Sequence, residues 1–152
     1  MVIGFRSFPD GFAYVVLQKT RTNPELVAKD RLCLPKNQNW PASLAWVRKQ
    51  LSEILQQFDI DSACIKTIEP MARKKDMHRL QIEGVIQEYI YSANSIDCST
   101  RIKSQLKRDI SNFNEPARYL EKVLTQNDTL TDLNSTLYQE ATLAAVSELA
   151  GE

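Results

Sequence analysis

Residues that bind metals or form disulfides are scarce in this chain of 152 residues. The three cysteines, Cys33, Cys64 and Cys98, are odd in number and widely spaced, and no CxxC pair is present. This pattern argues against a disulfide framework or a zinc site, and it predicts reduced thiols within the core. The one histidine, His78, excludes a histidine-rich metal cluster and is expected to lie exposed on the surface.

Long apolar runs and net charge are also lacking. No stretch approaches the roughly 18 consecutive apolar residues of a membrane span, and no signal peptide is recognisable, so a cytoplasmic protein without membrane contact is expected. Basic and acidic residues number 19 each. Residues 66–108 carry 9 basic and 5 acidic groups, whereas residues 109–152 carry 2 and 8. The middle of the chain is therefore basic and its C-terminal third acidic.

The hydrophobic pattern predicts one α/β domain spanning residues 1–152, since 43% of the residues are hydrophobic. Alternating apolar runs indicate strands, and apolar residues at i, i+3 and i+4 indicate helices. The predicted elements are strands at 2–7, 12–19 and 27–34, a helix at 40–58, a strand at 63–69, a helix at 75–93, a strand at 95–100, and helices at 101–113, 116–126 and 137–150. This order favours a five-stranded mixed sheet, with three antiparallel strands followed by two parallel ones and helices on both faces.

Helix 75–93 has apolar residues on more than one face, among them Ile82, Ile86, Tyr89 and Ile90. A helix that is apolar on two sides needs two partners, such as its own sheet and another subunit. We therefore expect a homodimer or a hetero-complex formed through this helix.

Several short segments, in this order, resemble the RuvC-type Holliday-junction resolvases of the RNase H-like superfamily. They are Val2-Ile3-Gly4 with position 6 in the first strand, the helix SLAWVRKQLSEILQQFDID, the strand ACIKTIE, Ile82-Glu83-Gly84-Val85-Ile86 beside the family's Arg-Gly-Val-Ile, and the terminal EATLAAVSELA. The resemblance implies an RNase H-like fold over almost the whole chain.

The resemblance also implies a site that two Mg²⁺ ions occupy, which requires several converging carboxylates. The family's four acidic positions fall on Arg6, Lys66, Leu137 and Glu140, so one carboxylate remains. We therefore expect no metal, no cofactor and no hydrolysis by the family's mechanism. Arg6 and Lys66 either bind phosphate, as cations in the place of the metals, or pair with Glu140 inside the protein.

A basic stretch gives a second candidate surface for DNA or RNA. Arg73, Lys74, Lys75 and Arg79 cluster with His78 around the start of helix 75–93. A second group, consisting of Arg101, Lys103, Lys107 and Arg108, is predicted on one helix. Clustered cations neutralise phosphates without regard to sequence, although such charge runs are also typical of ordinary solvated surfaces.

Three functional hypotheses follow. The first is a catalytically silent resolvase relative that binds nucleic acid or serves as a subunit of a nucleic-acid-processing assembly. The second is a protein-interaction scaffold, a dimer or a hetero-complex, without nucleic-acid binding. The third is a divergent metal-dependent nuclease that uses other acids, for which the candidates are Asp10, Glu69, Asp76 and Glu83.

Overall fold

The computed structural model describes residues 1–94, 96–110 and 136–151. The elements are β1 Val2–Phe8, β2 Gly11–Lys19, β3 Pro24–Cys33, α1 Trp40–Gln57, β4 Ser62–Lys66, α2 Met77–Asn94, β5 Asp97–Arg101, α3 Lys103–Asp109 and α4 Thr136–Glu148. The predicted helix at 116–126 lies outside the described residues. Within the described part, no helix is long and apolar enough to span a membrane.

The five strands form one mixed sheet in the order β3-β2-β1-β4-β5. β2 pairs antiparallel with β1 and β3, and β4 pairs parallel with β1 and β5. The predicted arrangement of three antiparallel strands followed by two parallel ones is confirmed. Because β1 and β4 are parallel and in register, Arg6 lies directly beside Lys66.

Turn chemistry sets the β1–β2 hairpin. Pro9 and Asp10 form the turn, and Gly11 follows with a positive φ of 155°. A Cβ atom at Gly11 would lie 1.9 Å from the carbonyl oxygen of Leu32 on β3, so glycine lets these two strands approach. The hairpin and the edge strand β3 therefore share one tight corner.

Helices cover both faces of the sheet, as predicted. α1 and α2 pack on one face over a core that includes Ile3, Phe5 and Leu51. α4 packs on the other face, where Ala141 and Ala145 lie against β1 and β2.

Gly4 brings α4 unusually close to the sheet. A Cβ atom on Gly4 would lie 2.0 Å from the carbonyl oxygen of Ala141 and 2.4 Å from the amide nitrogen of Ala145. Val2, Gly4 and Arg6 share one face of β1 because side chains alternate along a strand. The same face therefore brings Arg6 towards α4.

The structure corrects the interpretation of helix 75–93. The helix begins at Met77, and Ile82, Ile86 and Ile90 are fully buried within this chain. They pack with α1 and the sheet, so their burial needs no second subunit. The large apolar side chains that α2 exposes are instead Met77 and Tyr91.

Two of the three cysteines fit the predicted core thiols. Cys64 is buried and Cys98 is half-buried, and burial raises the pKa of these thiols to about 11 and about 12. Cys33 is exposed at the end of β3, so the prediction of a core position was wrong for this residue. β3 is an edge strand with one open side, and Cys33 is its last residue.

Candidate functional site

Arg6, Lys66 and Glu140 meet at one end of the sheet. Arg6 Nε lies 3.3 Å and Lys66 Nζ 3.0 Å from the same Glu140 oxygen, Oε2. β1 and β4 supply the two cations side by side, and α4 supplies the carboxylate from above the same face. The predicted approach of these three residues is confirmed.

The Lys66 ammonium group lies close to three oxygen atoms. Besides Glu140, Nζ lies 3.0 Å from Glu69 Oε1 and donates a 2.8 Å hydrogen bond to the carbonyl oxygen of Thr67. An ammonium group has three donors and no more. The side chain is 5% exposed, so Lys66 is enclosed, with one hydrogen bond and two ion pairs.

Arg6 is less completely paired. Its Nη1 donates to the carbonyl oxygen of Ser7, and its side chain is 14% exposed. Burial and the nearby Arg79 guanidinium lower the pKa of Arg6, while Glu140 and Glu83 oppose this shift. Such a site needs its carboxylates, because without them two adjacent guanidinium groups would repel each other.

Glu83 forms a second buried group next to Arg6. Its Oε1 accepts hydrogen bonds from Ser7 Oγ at 3.0 Å, from the Ile68 amide at 3.1 Å and from Arg79 Nε at 3.1 Å. The Glu83 side chain is 3% exposed and that of Arg79 is 12% exposed. The prediction that Arg79 belongs to an exposed phosphate-binding surface is not supported, because its guanidinium turns inward to this carboxylate. The i, i+4 spacing of the two residues was the available sequence signal.

We call these groups together the ion-pair cluster. It contains three cations and three carboxylates, namely Arg6, Lys66, Arg79, Glu69, Glu83 and Glu140. Burial raises the pKa of Glu69. The hydrogen bond from the Lys103 amide and the interaction with Lys66 nevertheless hold this pKa below its ordinary value. The cluster is therefore electrically balanced without any bound ion.

The cluster does not fit a pair of Mg²⁺ ions. The ammonium group of Lys66 and the guanidinium group of Arg6 occupy positions where carboxylates would be needed, and they would repel a divalent cation. Leu137, the remaining carried-over position, is half-buried and packs against the core beneath α4. Among the described residues, no three His, Cys, Asp or Glu side chains converge as metal ligands.

The acidic residues considered for a displaced metal site already have other partners or, in the case of Asp10, are exposed in a turn. Glu69 pairs with Lys66, Asp76 Oδ1 accepts a hydrogen bond from the Arg79 amide, and Glu83 is enclosed as described. Asp10 is exposed in the β1–β2 turn.

Arg73, Lys74 and Lys75 are exposed in the segment between β4 and α2, and we call them the basic segment. No ion pair joins them to other residues in the described ranges. They lie just before Asp76, whose side chain caps the first turn of α2.

The second predicted basic group is less available. Arg101 ends β5 instead of starting a helix, and its Nε donates a 2.9 Å hydrogen bond to Asp109. Arg108 pairs with the same carboxylate at 3.3 Å. Lys103 and Lys107 remain exposed on α3.

A stacked pair of rings was missed by sequence reasoning. The rings of Trp40 and His78 lie 3.8 Å apart, centre to centre, and 15° from parallel. His78 is exposed, as predicted, but it lies on the indole of the residue that begins α1. The two residues are 38 positions apart, so no local pattern reveals this contact.

No protein-family model and no curated protein sequence matches the chain. Solved structures do match. RuvC from T. thermophilus in complex with a Holliday junction substrate superposes with a TM-score of 0.76 and 11% identity, covering 96% of this chain and 90% of that one. The yeast mitochondrial Holliday junction resolvase superposes with a TM-score of 0.66 and 14% identity, covering 96% of this chain and 76% of that one. The fowlpox virus resolvase in complex with substrate Holliday junction DNA superposes with a TM-score of 0.55 and 14% identity, covering 98% of each chain.

These likenesses confirm the RNase H-like, RuvC-like fold that the sequence predicts. Identities of 11–14% establish the fold alone. Function therefore has to be argued from the side chains of this chain.

Proposed function

We propose that this chain is a catalytically inactive RuvC-like protein that binds DNA or RNA, alone or as a subunit of a nucleic-acid-processing assembly. The observation that carries the proposal is the environment of Lys66. Its buried ammonium group, paired with Glu140, Glu69 and a backbone carbonyl, stands where the resembled nucleases need a carboxylate.

Loss of cleavage follows from this arrangement. Cleavage with two metal ions needs anionic ligands that hold both ions around the phosphate. In this chain Glu140 is shared between Arg6 and Lys66, so it is not free to bind a metal ion. Freeing it would take a shared carboxylate away from two cations in a mostly buried site, which costs several kcal/mol.

Nucleic-acid binding is assigned to the basic segment and not to the cluster. Lys66 is buried against two carboxylates and a backbone carbonyl oxygen, whereas Arg73, Lys74 and Lys75 are exposed. Two of the structures with this fold are complexes with Holliday junction DNA. Exposed cations bind a phosphate backbone mainly by releasing its counterions.

The test is the salt dependence of binding. We expect a four-way DNA junction and a duplex of the same sequence to bind more weakly as salt rises, because each neutralised phosphate contributes about 0.9 to the log-log slope on duplex DNA. Replacing Arg73, Lys74 and Lys75 together by alanine should lower the log-log slope by up to about 3 and weaken binding to all DNA sequences alike. Fluorescence anisotropy between 20 and 200 mM salt measures both quantities.

Arg6→Ala is the matched comparison. If Arg6 pairs internally, its loss lowers thermal stability and leaves the salt slope unchanged. A reduced slope in Arg6→Ala, with an unchanged slope in the triple variant, would move the binding site to the cluster. No binding of DNA or RNA at low salt would remove the nucleic-acid proposal.

A second candidate function is a protein-interaction scaffold. The observation in its favour is the exposure of apolar side chains, since Met71 is 91% exposed, Tyr91 75% and Met77 63%. A homodimer through α2 would cover Met77 and Tyr91. Light scattering at high protein concentration tests for this dimer. If the wild-type protein is a monomer and Tyr91→Ala has the same mass in solution, such a dimer is excluded.

The single-domain organisation of residues 1–152 and the cytoplasmic location stay predictions from the sequence.

A further inference from the structure

Trp40 and His78 form a flat, rigid surface between the starts of α1 and α2. Their rings are nearly parallel at 3.8 Å, and Trp40 Nε1 donates a hydrogen bond to Gln81 Oε1. Trp40 also packs against the main core, so the indole is held from behind. His78 is exposed although one face of its ring lies on Trp40, so part of the residue remains accessible to a ligand.

The basic segment lies next to this surface. Lys75 and His78 are three residues apart, so their Cα atoms lie within about 11 Å of each other. The flanking methionines are also exposed, Met71 to 91% and Met77 to 63%. Cations, an exposed aromatic residue and flexible apolar side chains therefore occur together in one short stretch.

We propose that His78, backed by Trp40, is a stacking platform for an unpaired base, while the basic segment holds the adjoining phosphates. The ligand class is single-stranded nucleic acid or a strand with unpaired bases, in preference to continuous duplex. This deepens, and rests on, the nucleic-acid binding proposed above.

Physical chemistry favours this ligand over duplex DNA and over a protein. A base in a continuous duplex already stacks on both faces, so a third ring would have to displace a neighbour. An unpaired base offers a free face, and histidine and tryptophan are among the side chains that stack on bases. Three adjacent cations that have no carboxylate partner among the described residues match a row of phosphates better than a mixed protein surface.

Three probes of equal length separate the contributions. They are a 20-nucleotide oligothymidine, a 20-nucleotide strand of abasic sites and a blunt duplex, each labelled and titrated at low salt. The abasic strand keeps the phosphates and lacks the bases. We expect the protein to bind oligothymidine between about 5-fold and 150-fold more tightly than the abasic strand, which is the effect of stacking one base.

Variants assign the effect to the ring pair. His78→Ala should remove the preference for oligothymidine over the abasic strand, and His78→Phe should retain it. Tyr91→Ala is the matched control, since it removes an exposed aromatic ring from the same helix, about 20 Å away. Thermal unfolding of each variant checks that the fold is intact, and His78 is chosen because it is exposed.

The outcomes are distinct. Equal binding of all three probes, or a preference that survives His78→Ala, overturns the stacking platform and leaves the proposed nucleic-acid binding in place. No binding of any probe overturns both. Loss of self-association in His78→Ala, measured by light scattering without an effect on DNA, would assign this surface to a second copy of the chain and contradict the inference.

Discussion

The Lys66 side chain is 5% exposed, and its Nζ lies within 3.0 Å of two carboxylate oxygens and a backbone carbonyl oxygen. Removing water from an ion costs several kcal/mol unless opposite charge and hydrogen bonds compensate. One oxygen of Glu140 serves two cations, since it contacts both Arg6 and Lys66. At the scale of single residues, Glu140 therefore contributes most to the balance of the site.

We predict that Glu140→Gln lowers the free energy of unfolding by about 2–4 kcal/mol, because it leaves two cations without their shared carboxylate. The estimate is reduced for solvent screening, since the Glu140 side chain is 21% exposed. Urea denaturation measures the change. Glu53→Gln, at an exposed position on α1, is the control.

Adding Lys66→Met to Glu140→Gln should restore part of the lost stability, because one of the two cations that lost the shared carboxylate is then gone. If Glu140→Gln is as stable as the wild-type protein, the cluster does not stabilise the fold as described.

Charge sign is reversed on both sides of the site. Arg6 and Lys66 fall on carboxylate positions of the resembled family, and Glu83 falls where its motif has arginine. In the structure Arg79 neutralises Glu83, four residues away on the same helix. Each reversed charge therefore has an oppositely charged neighbour within the cluster. This arrangement supports one connected network of buried ion pairs.

At the scale of elements, the close approach of α4 to β1 places Glu140 over the two cations. Gly4 permits this approach. We predict that Gly4→Ala destabilises the protein by about 1–3 kcal/mol, because the new methyl group would overlap the backbone of α4.

Gly84→Ala is the matched control for Gly4→Ala. A Cβ atom at Gly84 meets nothing within 4 Å, and the position lies inside α2. Alanine should therefore stabilise the protein there by about 0.5–1 kcal/mol. Similar effects of the two changes on thermal unfolding would contradict the close approach of α4.

The Arg101–Asp109 pair ties α3 to β5 and gives a pH-dependent contribution. The hydrogen bond from Arg101 holds the pKa of Asp109 below its ordinary value of 3.8, against the opposing effect of burial. A lowered pKa in the folded state means that the stabilisation is present above the unfolded pKa and is lost as pH falls through the folded value.

We predict that Asp109→Asn costs less than about 1 kcal/mol at pH 7, since the pair is partly exposed. The difference from wild type should shrink as pH falls below 3.8 and through the lowered pKa of folded Asp109, because the carboxyl then becomes neutral like the amide. Urea denaturation between pH 2.5 and 7 measures it, and a difference that grows towards low pH would contradict the assignment.

Element order was predictable because hydrophobic period and turn residues are local signals. The Pro9-Asp10-Gly11 turn and the helix opening at Trp40-Pro41 both appear in the structure. The second apolar side of helix 75–93 was assigned to another subunit, whereas in the structure α1 covers it. The sequence does not show this tertiary contact, on which the burial of the helix depends.

The candidate site was predictable where strand register and the family resemblance determine it. Arg6, Lys66 and Glu140 are brought together by that register and by the placement of α4. The i, i+4 spacing of Arg79 and Glu83 signals their pairing but not its burial. The stack of Trp40 on His78 was not predictable, because it depends on how side chains pack between two helices.

At the scale of the molecule, charge is divided between two places with different roles. Buried cations are paired with carboxylates in the cluster, whereas the cations of the basic segment are exposed on the surface. The first arrangement opposes metal binding, and the second attracts phosphates. Binding without cleavage is the combination that follows from both.

The most direct test is a cleavage assay on a four-way DNA junction. The protein is added at a concentration that saturates binding, with Mg²⁺ or Mn²⁺ at millimolar levels. We predict that the junction remains intact while it is bound, because the cluster holds cations where both metal ions would need carboxylates. Metal-dependent cleavage that Glu140→Gln abolishes would contradict the account.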